Sequence, residues 1–408
     1  MAGLNDQWQN VYQKLLIKEL GWPIAGDLSR PGAEFMSIFN SLPNNKVLFD
    51  QHGFPSVHVF IPKFNWDPTN GFNSSTVHPA FIWNGVEHAG FWVSKYQVCA
   101  IVTATGAIKA TQTADWSASV AGHVAASLPY QDPAVYLNYN AAIDICEAKN
   151  SAAMRAAGNI FHLMTNAEWA AIAIWCKQMY MDGIFASYCR GNNDYCRDIN
   201  EKGITGLPLN ETLTIGSSGG SYGSPYYGRW RTGSGGARTA HNFDPSGIFD
   251  LNGNIWERIT GLQSPDAGTG KQAWIIPNNE AAIATPAQLK DIATAPGAPW
   301  TQIGEWNSLT DEDFSKENAA NFTPAGAYSD DDAETLALIA HSDVTGDYGN
   351  DYFWKPDVGE NNVPRRGGAW YDGVRSGLFT LNLNSVVSYA DSAVGFRSAY
   401  VGDLSAVT

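Results

Sequence analysis

Apolar side chains recur at Trp8, Val11, Tyr12, Leu15, Leu16 and Leu20, a spacing that lays one stripe along a helix. The stripe ends near Gly21-Trp22-Pro23, because proline cannot continue a helix. It either packs this segment onto the main body or serves as an oligomer or attachment contact. From Val47 onward the pattern changes to short apolar runs separated by turn residues. Val57-His58-Val59-Phe60-Ile61-Pro62, Ala80-Phe81-Ile82-Trp83 and Gly90-Phe91-Trp92-Val93-Ser94-Lys95-Tyr96 read as strands. Two helices follow, near 138–149 and 166–180. The first carries Ala141, Ile145 and Cys146 on one face, with Asn138 or Asn140 available as its cap. The second opens on Thr165-Asn166-Ala167-Glu168, a capping box in which hydroxyl and carboxylate satisfy each other's orphan amides. Leu381-Asn382-Leu383-Asn384 alternates as a half-buried strand should.

The glycine- and serine-rich stretch 189–240 reads as a long loop region. No Lys-Ser/Thr follows its glycines, so it is not a phosphate loop. The stretch 262–355 is mixed, with an acidic patch at Asp330-Asp331-Asp332. No boundary or internal repeat interrupts the chain after Val47. These elements predict an α+β protein: a helical segment over 1–45, then one elaborated domain over 46–402.

Composition narrows the function classes. The net charge of −15 argues against nucleic acid or anionic membrane as partner, both of which require a basic face. Forty glycines, 15 tryptophans and 17 tyrosines exclude a helical bundle. No apolar run approaches the ~18 residues of a membrane span, and the first residues predict no signal peptide. The five cysteines, Cys99, Cys146, Cys176, Cys189 and Cys196, form no C-x-x-C pair. Cys146 and Cys176 read as core. A Cys189–Cys196 bridge is left open, and a reducing compartment is the default.

Four segments then carry a resemblance. Gly90 to Val98 is similar to a first long strand, and His162 to Trp169 to an L-P-T-x-A-E-W run. Gly247-Ile248-Phe249-Asp250-Leu251-Asn252-Gly253-Asn254-Ile255-Trp256-Glu257 is similar to a G-L-x-D-x-x-G-N-x-W-E block. Arg366-Gly367-Gly368-Ala369-Trp370 and Val394-Gly395-Phe396-Arg397 are similar to R-G-G-x-W and G-F-R ends. In this order they resemble the formylglycine-generating-enzyme-like (sulfatase-modifying factor) branch of the C-type-lectin fold. That resemblance implies a C-type-lectin-like domain with long loop insertions. The residues make sense in their own right: paired glycines admit conformations closed to other residues ahead of the anchor Trp370, and Arg397 brings a cation to pair.

Between these anchors, residues 366–397 resemble the hypervariable region of target proteins diversified by retroelements, where adenines of Asn AAY codons are randomised. Such codons never yield Lys, Glu, Gln, Met or Trp. None of the five occurs from Tyr371 through Tyr400, where composition predicts roughly four. The resemblance implies a non-enzymatic binding protein. Its ligand-binding positions would be Ala369, Tyr371, Asp372, Arg375, Ser385, Val387, Tyr389, Asp391 and Ala393, exposed over buried Trp370, Phe379, Leu381, Leu383 and Phe396. Tyr and Arg supply contact area and Ser and Asp adaptable hydrogen bonds, as in antibody loops. The ligand would be a variable protein or glycan on a target cell surface. The setting would be a phage tail in the virion, or display on the surface of a bacterium or archaeon.

Enzymatic members of the family provide the third reading. Their oxidase branch uses a cysteine pair after the R-G-G block, whereas the last cysteine here is Cys196. The iron-dependent branch uses H-x-x-x-H spacing, which the eight histidines lack. No cofactor is required. Some members hold calcium in the third block, and the resemblance carries that role to Asp250, Gly253, Ile255 and Glu257, oxygen donors suited to a structural Ca2+. The alternative is that Glu257 only hydrogen-bonds loop amides.

Overall fold

The computed structural model describes residues 33–404 apart from 110–111, 185–190, 192–227, 234, 267–271, 294, 309, 315–319, 341–347, 349–350 and 358. The stripe from Trp8 to Leu20, Cys189, Cys196 and most of the 189–240 loop lie outside them. Local sequence signals open the described elements. Asn138 caps the helix Tyr139–Glu147 by accepting from the Ala141 amide at 2.9 Å. Thr165 and Glu168 close the capping box of the helix Asn166–Met181, with both reciprocal bonds present. The helix Ala33–Ser41 presents Phe35 and Phe39 to Val47, Phe54, Val57 and Tyr96.

The chain is mixed α and β, with sheets dominant. One antiparallel sheet runs in the order Asn45–Phe49, Pro55–Pro62, Gly90–Ser94, Ser398–Val401, Ile160–Leu163. A second, mixed sheet runs Glu312–Asp313, Tyr352–Trp354, Leu381–Asn382, Arg365–Arg366, Trp256–Arg258, Val394–Phe396. A third joins Leu262–Gln263, Gln272–Ile275, Thr301–Trp306 and Phe322–Pro324. One apolar cluster takes in Val59, Trp169, Ile259, Ile303, Leu381 and Ala399, so residues on both sides of the glycine-rich stretch share a core.

Two expectations need correction. Ala80 and Phe81 belong to a 3-10 turn, Pro79–Phe81, ahead of the short strand Ile82–Trp83. His78 caps that turn, and Pro79 at its first position favours it. The segment 381–384 is not half-buried: its strand is only Leu381–Asn382, and Asn382 is buried. The strand lies inside the second sheet between two partners. Asn382 Oδ1 accepts from the Asn384 amide at 3.1 Å and from Ser385 Oγ at 3.5 Å. The polar side chain is thus satisfied by its own loop, and alternation there does not mark a solvent face.

The last two strands lie in different sheets, and Arg397 sits between them. Its Nε and Nη2 donate to Glu257 at 2.9 and 2.7 Å, Nη1 donates to the Ser94 carbonyl at 2.8 Å, and Nη2 to the Phe249 carbonyl at 2.7 Å. Arg397 and Glu257 are both buried. Removing one partner of such a pair strands a charge in the core. Arg397→Leu is therefore expected to cost roughly 3–5 kcal/mol of unfolding free energy in chemical denaturation. Lys63→Leu, which breaks the solvent-exposed pair with Glu87, should cost at most about 1 kcal/mol. Equal losses in the two variants would deny the buried pair its role.

Candidate functional site

The residues of the R-G-G block fix where the candidate binding segment begins. Arg366, fully buried, donates to Asn166 Oδ1 at 2.7 Å, to the Ala337 carbonyl at 2.9 Å and to the Phe379 carbonyl at 3.2 Å. Trp169 Nε1 donates to the Leu378 carbonyl at 2.7 Å. Gly367 and Gly368 have φ of +87° and +80°, which L side chains rarely adopt. A Cβ on Gly368 would stand 2.3 Å from Ser376 Oγ. These contacts seat a first loop, 369–376, in which Asp372 Oδ2 accepts from the Ala369 amide at 2.7 Å and Ser376 Oγ donates to the Ala369 carbonyl at 3.1 Å.

A second loop, 385–393, lies beside it. The Tyr139 amide donates to the Val387 carbonyl at 3.1 Å and the Tyr136 amide to the Asp391 carbonyl at 3.0 Å. Asp391 Oδ1 accepts from the Ala393 amide at 2.9 Å. Both aspartates thus shape their own loops.

Side-chain exposure sorts the nine expected contacts. Tyr371 and Tyr389 are 38% and 37% exposed, Arg375 is exposed, and Asp372, Val387 and Asp391 are half-buried. Ala369, Ser385 and Ala393 are buried, at 0%, 3% and 0%, which corrects their assignment as exposed contacts. Ala369 and Ala393 pack with Val135, Ile255, Trp256, Trp370 and Val394, and Ser385 turns inward to Asn382. Val387 also leans inward, against a second apolar cluster. Beneath them Trp370, Phe379, Leu381, Leu383 and Phe396 are buried. Val374, 40% exposed on the turn Gly373–Arg375, joins the surface without having been singled out.

The structure adds residues from outside the segment. In the strand Tyr352–Trp354, Phe353 is buried while Tyr352 and Trp354 are half-buried. The Tyr352 ring stands 4.6 Å from that of Trp354, which stands 5.2 Å from that of Trp256. The Arg375 guanidinium lies 4.3 Å over Tyr352. The Arg365 guanidinium lies over Trp256 and Tyr389, at 5.0 and 4.9 Å. Burial and then the neighbouring Asp372 carboxylate push the Tyr371 phenol up, while Arg365 pulls it down. Tyr371, Asp372, Tyr389 and Arg365 are electrostatic neighbours. Tyr352, Phe353 and Trp354 are all aromatic, so no polar/apolar alternation in the sequence marked which face of this strand lies outward.

The four residues assigned to calcium do not fit an ion as arranged. Both Glu257 oxygens are taken by Arg397. Gln97 Nε2 donates toward Glu257 Oε1 at 3.0 Å and toward the carbonyls of Asp250 and Ile255 at 3.2 Å each. Asn254 Nδ2 donates to Gln97 Oε1 at 2.6 Å, which fixes the amide in this sense. The Asp250 carboxylate accepts from the Gly233 amide at 2.7 Å. Donors thus occupy the space an ion would need, and Glu257 binds Arg397 and Gln97 rather than loop amides. Among the described residues no group of three or more His, Cys, Asp or Glu could hold a metal.

Cys99 and Cys146 are buried and free, and burial pushes the Cys99 thiol up to about 12, away from the reactive form. Cys176 is buried, with its thiol toward the His241 carbonyl at 3.4 Å. No described helix is long and apolar enough to cross a membrane.

Two measurements follow from this geometry. Adding calcium or a chelator is expected to leave the melting temperature unchanged, and a calcium-dependent rise would restore the ion. The second concerns Asp351, whose Oδ2 accepts from the Phe379 amide at 2.7 Å and so tethers the first loop. Burial pushes its carboxyl up to about 7 from the ordinary 3.8. The folded protein therefore holds this proton more tightly than the unfolded chain. The contribution is complete below about pH 4 and is lost as the pH rises through about 7. Unfolding free energy should fall less steeply over that window in Asp351→Asn than in the parent. Identical slopes would mean that Asp351 titrates alike in both states.

No family model matches the chain, and no curated protein matches it. Among solved structures it is similar to the Major Tropism Determinant I1 variant at 9% identity and a TM-score of 0.30, over 88% of this chain and 73% of that one. The U1 variant gives 11% and 0.29 over the same shares. A structure of PvdO from Pseudomonas aeruginosa gives 15% and 0.31, over 88% of this chain and 98% of that one.

Proposed function

We propose that the face formed by loops 369–376 and 385–393, with Tyr352 and Trp354 beside them, is a ligand-binding surface and that the protein is not an enzyme. One observation carries the reading. Among the described residues seven large apolar side chains are exposed, and three of them, Tyr371, Val374 and Tyr389, fall on these two loops. Exposed aromatics gathered with arginines on a rigid support match the composition of binding hot spots. The frame beneath, from Trp370 to Phe396, can stay fixed while the loops differ.

The sequence supports the finer reading. The motif order and the absence of Lys, Glu, Gln, Met and Trp from 371–400 support a C-type-lectin-like protein whose surface a retroelement diversifies. On that reading the ligand is a protein or glycan of a target cell and the protein sits on a phage tail, with display on a cell surface as the alternative setting. An adenine-rich near-copy of the codons for 366–397, beside a reverse-transcriptase gene, is the expected genomic finding. Its absence would remove diversification and leave the binding face standing.

Substitution tests the face itself. Tyr371→Ala and Arg375→Ala should weaken binding to target cells by about 1–4 kcal/mol each, as interface anchors do, with little change in melting temperature. Trp370→Ala should instead cost roughly 3–5 kcal/mol of stability through the cavity it leaves. Full binding by both loop variants would overturn the assignment.

A further inference from the structure

Arg258 and Arg365 are register partners across the antiparallel pair of strands Trp256–Arg258 and Arg365–Arg366. Arg258 is fully buried and Arg365 is 6% exposed. Among the described residues neither has a carboxylate within ion-pair distance, although the buried Arg397 and Arg229 are paired with Glu257 and Asp132. Asp115 and Asp372 lie farther out. Their carboxylates are engaged by Ser117 and by the Ala369 amide.

The hydrogen bonding of both guanidinium groups is incomplete. Arg258 gives Nε to the Leu137 carbonyl at 3.1 Å and Nη2 to the Tyr389 carbonyl, while its Nη1 has no acceptor. Arg365 is stacked on Trp256 and Tyr389, and its Nε has no acceptor. Trp370 Nε1, packed in the cluster that holds Trp256, also lacks one. Arg366, next along the strand, likewise has an Nε without an acceptor, and two of these donor groups belong to the adjacent cations Arg258 and Arg365. Buried donors without partners are costly, and buried like charges more so. Burial and mutual repulsion also lower the proton affinity of Arg258. An oxyanion would relieve all of this, because guanidinium groups match carboxylate, sulfate and phosphate geometry.

Resting on the reading of this face as a binding surface, we propose that Arg258 and Arg365 anchor an anionic group of the ligand, a carboxylate, sulfate or phosphate. The group enters where the exposed ring of Tyr389 now covers Arg365. Side-chain rearrangement of that size is common when interfaces form.

Titration calorimetry with sodium sulfate, phosphate and acetate, each at ionic strength matched with sodium chloride, tests the pair. The protein should bind at least one of the three saturably. Arg365→Gln should weaken that binding about tenfold or more, as loss of a hydrogen bond to a charged group does, and Lys63→Gln should leave it unchanged. A preference for acetate would point to a carboxylate-bearing ligand, and a preference for sulfate or phosphate to an ester of those acids. If Arg365→Gln loses its cooperative melt, Tyr389→Ala decides, since uncovering the pair should tighten binding several-fold. Binding that does not saturate, or that is equal in the parent and Arg365→Gln, overturns the proposal, as does unchanged affinity in Tyr389→Ala. Loss of the anion site with target-cell binding still sensitive to Tyr371→Ala would remove the anchor alone. Insensitivity to Tyr371→Ala and Arg375→Ala would remove the binding face.

Discussion

The buried pair of Arg397 and Glu257 is the constraint on which the two main sheets depend. Arg397 stands between Val394–Phe396 in one sheet and Ser398–Val401 in the other. Its guanidinium reaches the carbonyls of Ser94 and Phe249 as well as Glu257 on the strand Trp256–Arg258. Strands of both sheets are thus bound to one planar cation. Such a group pays its desolvation cost only when every donor is matched, and neither Arg397 nor Glu257 has an atom among the unsatisfied ones. That requirement fixes how the sheets meet more tightly than apolar packing alone, which tolerates repacking.

The loops hang from this frame at their ends. Arg366, Trp169 and Asp351 hold the Leu378–Phe379 backbone, and the amides of Tyr136 and Tyr139 hold the second loop. Main-chain carbonyls and amides do most of the holding, so the support is largely blind to which side chains the loops present. A rigid support with indifferent attachment is what a surface needs if its chemistry is to change without unfolding the protein.

Local signals were legible in the sequence and distant ones were not. The Asn138 cap and the Thr165–Glu168 box involve residues three apart, so spacing alone reveals them. The order of motifs brought Asp250, Glu257, Arg366 and Arg397 into one argument, but it left Glu257 between a calcium ion and loop amides, where the structure gives it Arg397 and Gln97. Burial of Ala369, Ser385 and Ala393 was hidden because loops and two-residue strands carry no periodicity to tell inside from outside. The meeting of Arg258 and Arg365 depends on strand register across 107 positions of chain, which no pattern of residue types encodes. The outward face of Tyr352 and Trp354 was hidden too, because all three residues of their strand are aromatic.

The loop aspartates limit how freely this surface can be rewritten. Asp372 and Asp391 each spend a carboxylate oxygen on an amide of their own loop, a turn-forming bond that Asn, Ser or Thr could replace but Val or Phe could not. Ala369 and Ala393, closed in among aromatic rings, admit only small side chains. Neighbouring positions therefore do not choose their residues independently. The repertoire open to the surface is smaller than its count of sites implies, and any variation it accepts would be concentrated at Tyr371, Val374, Arg375 and Tyr389, where the backbone asks nothing of the side chain.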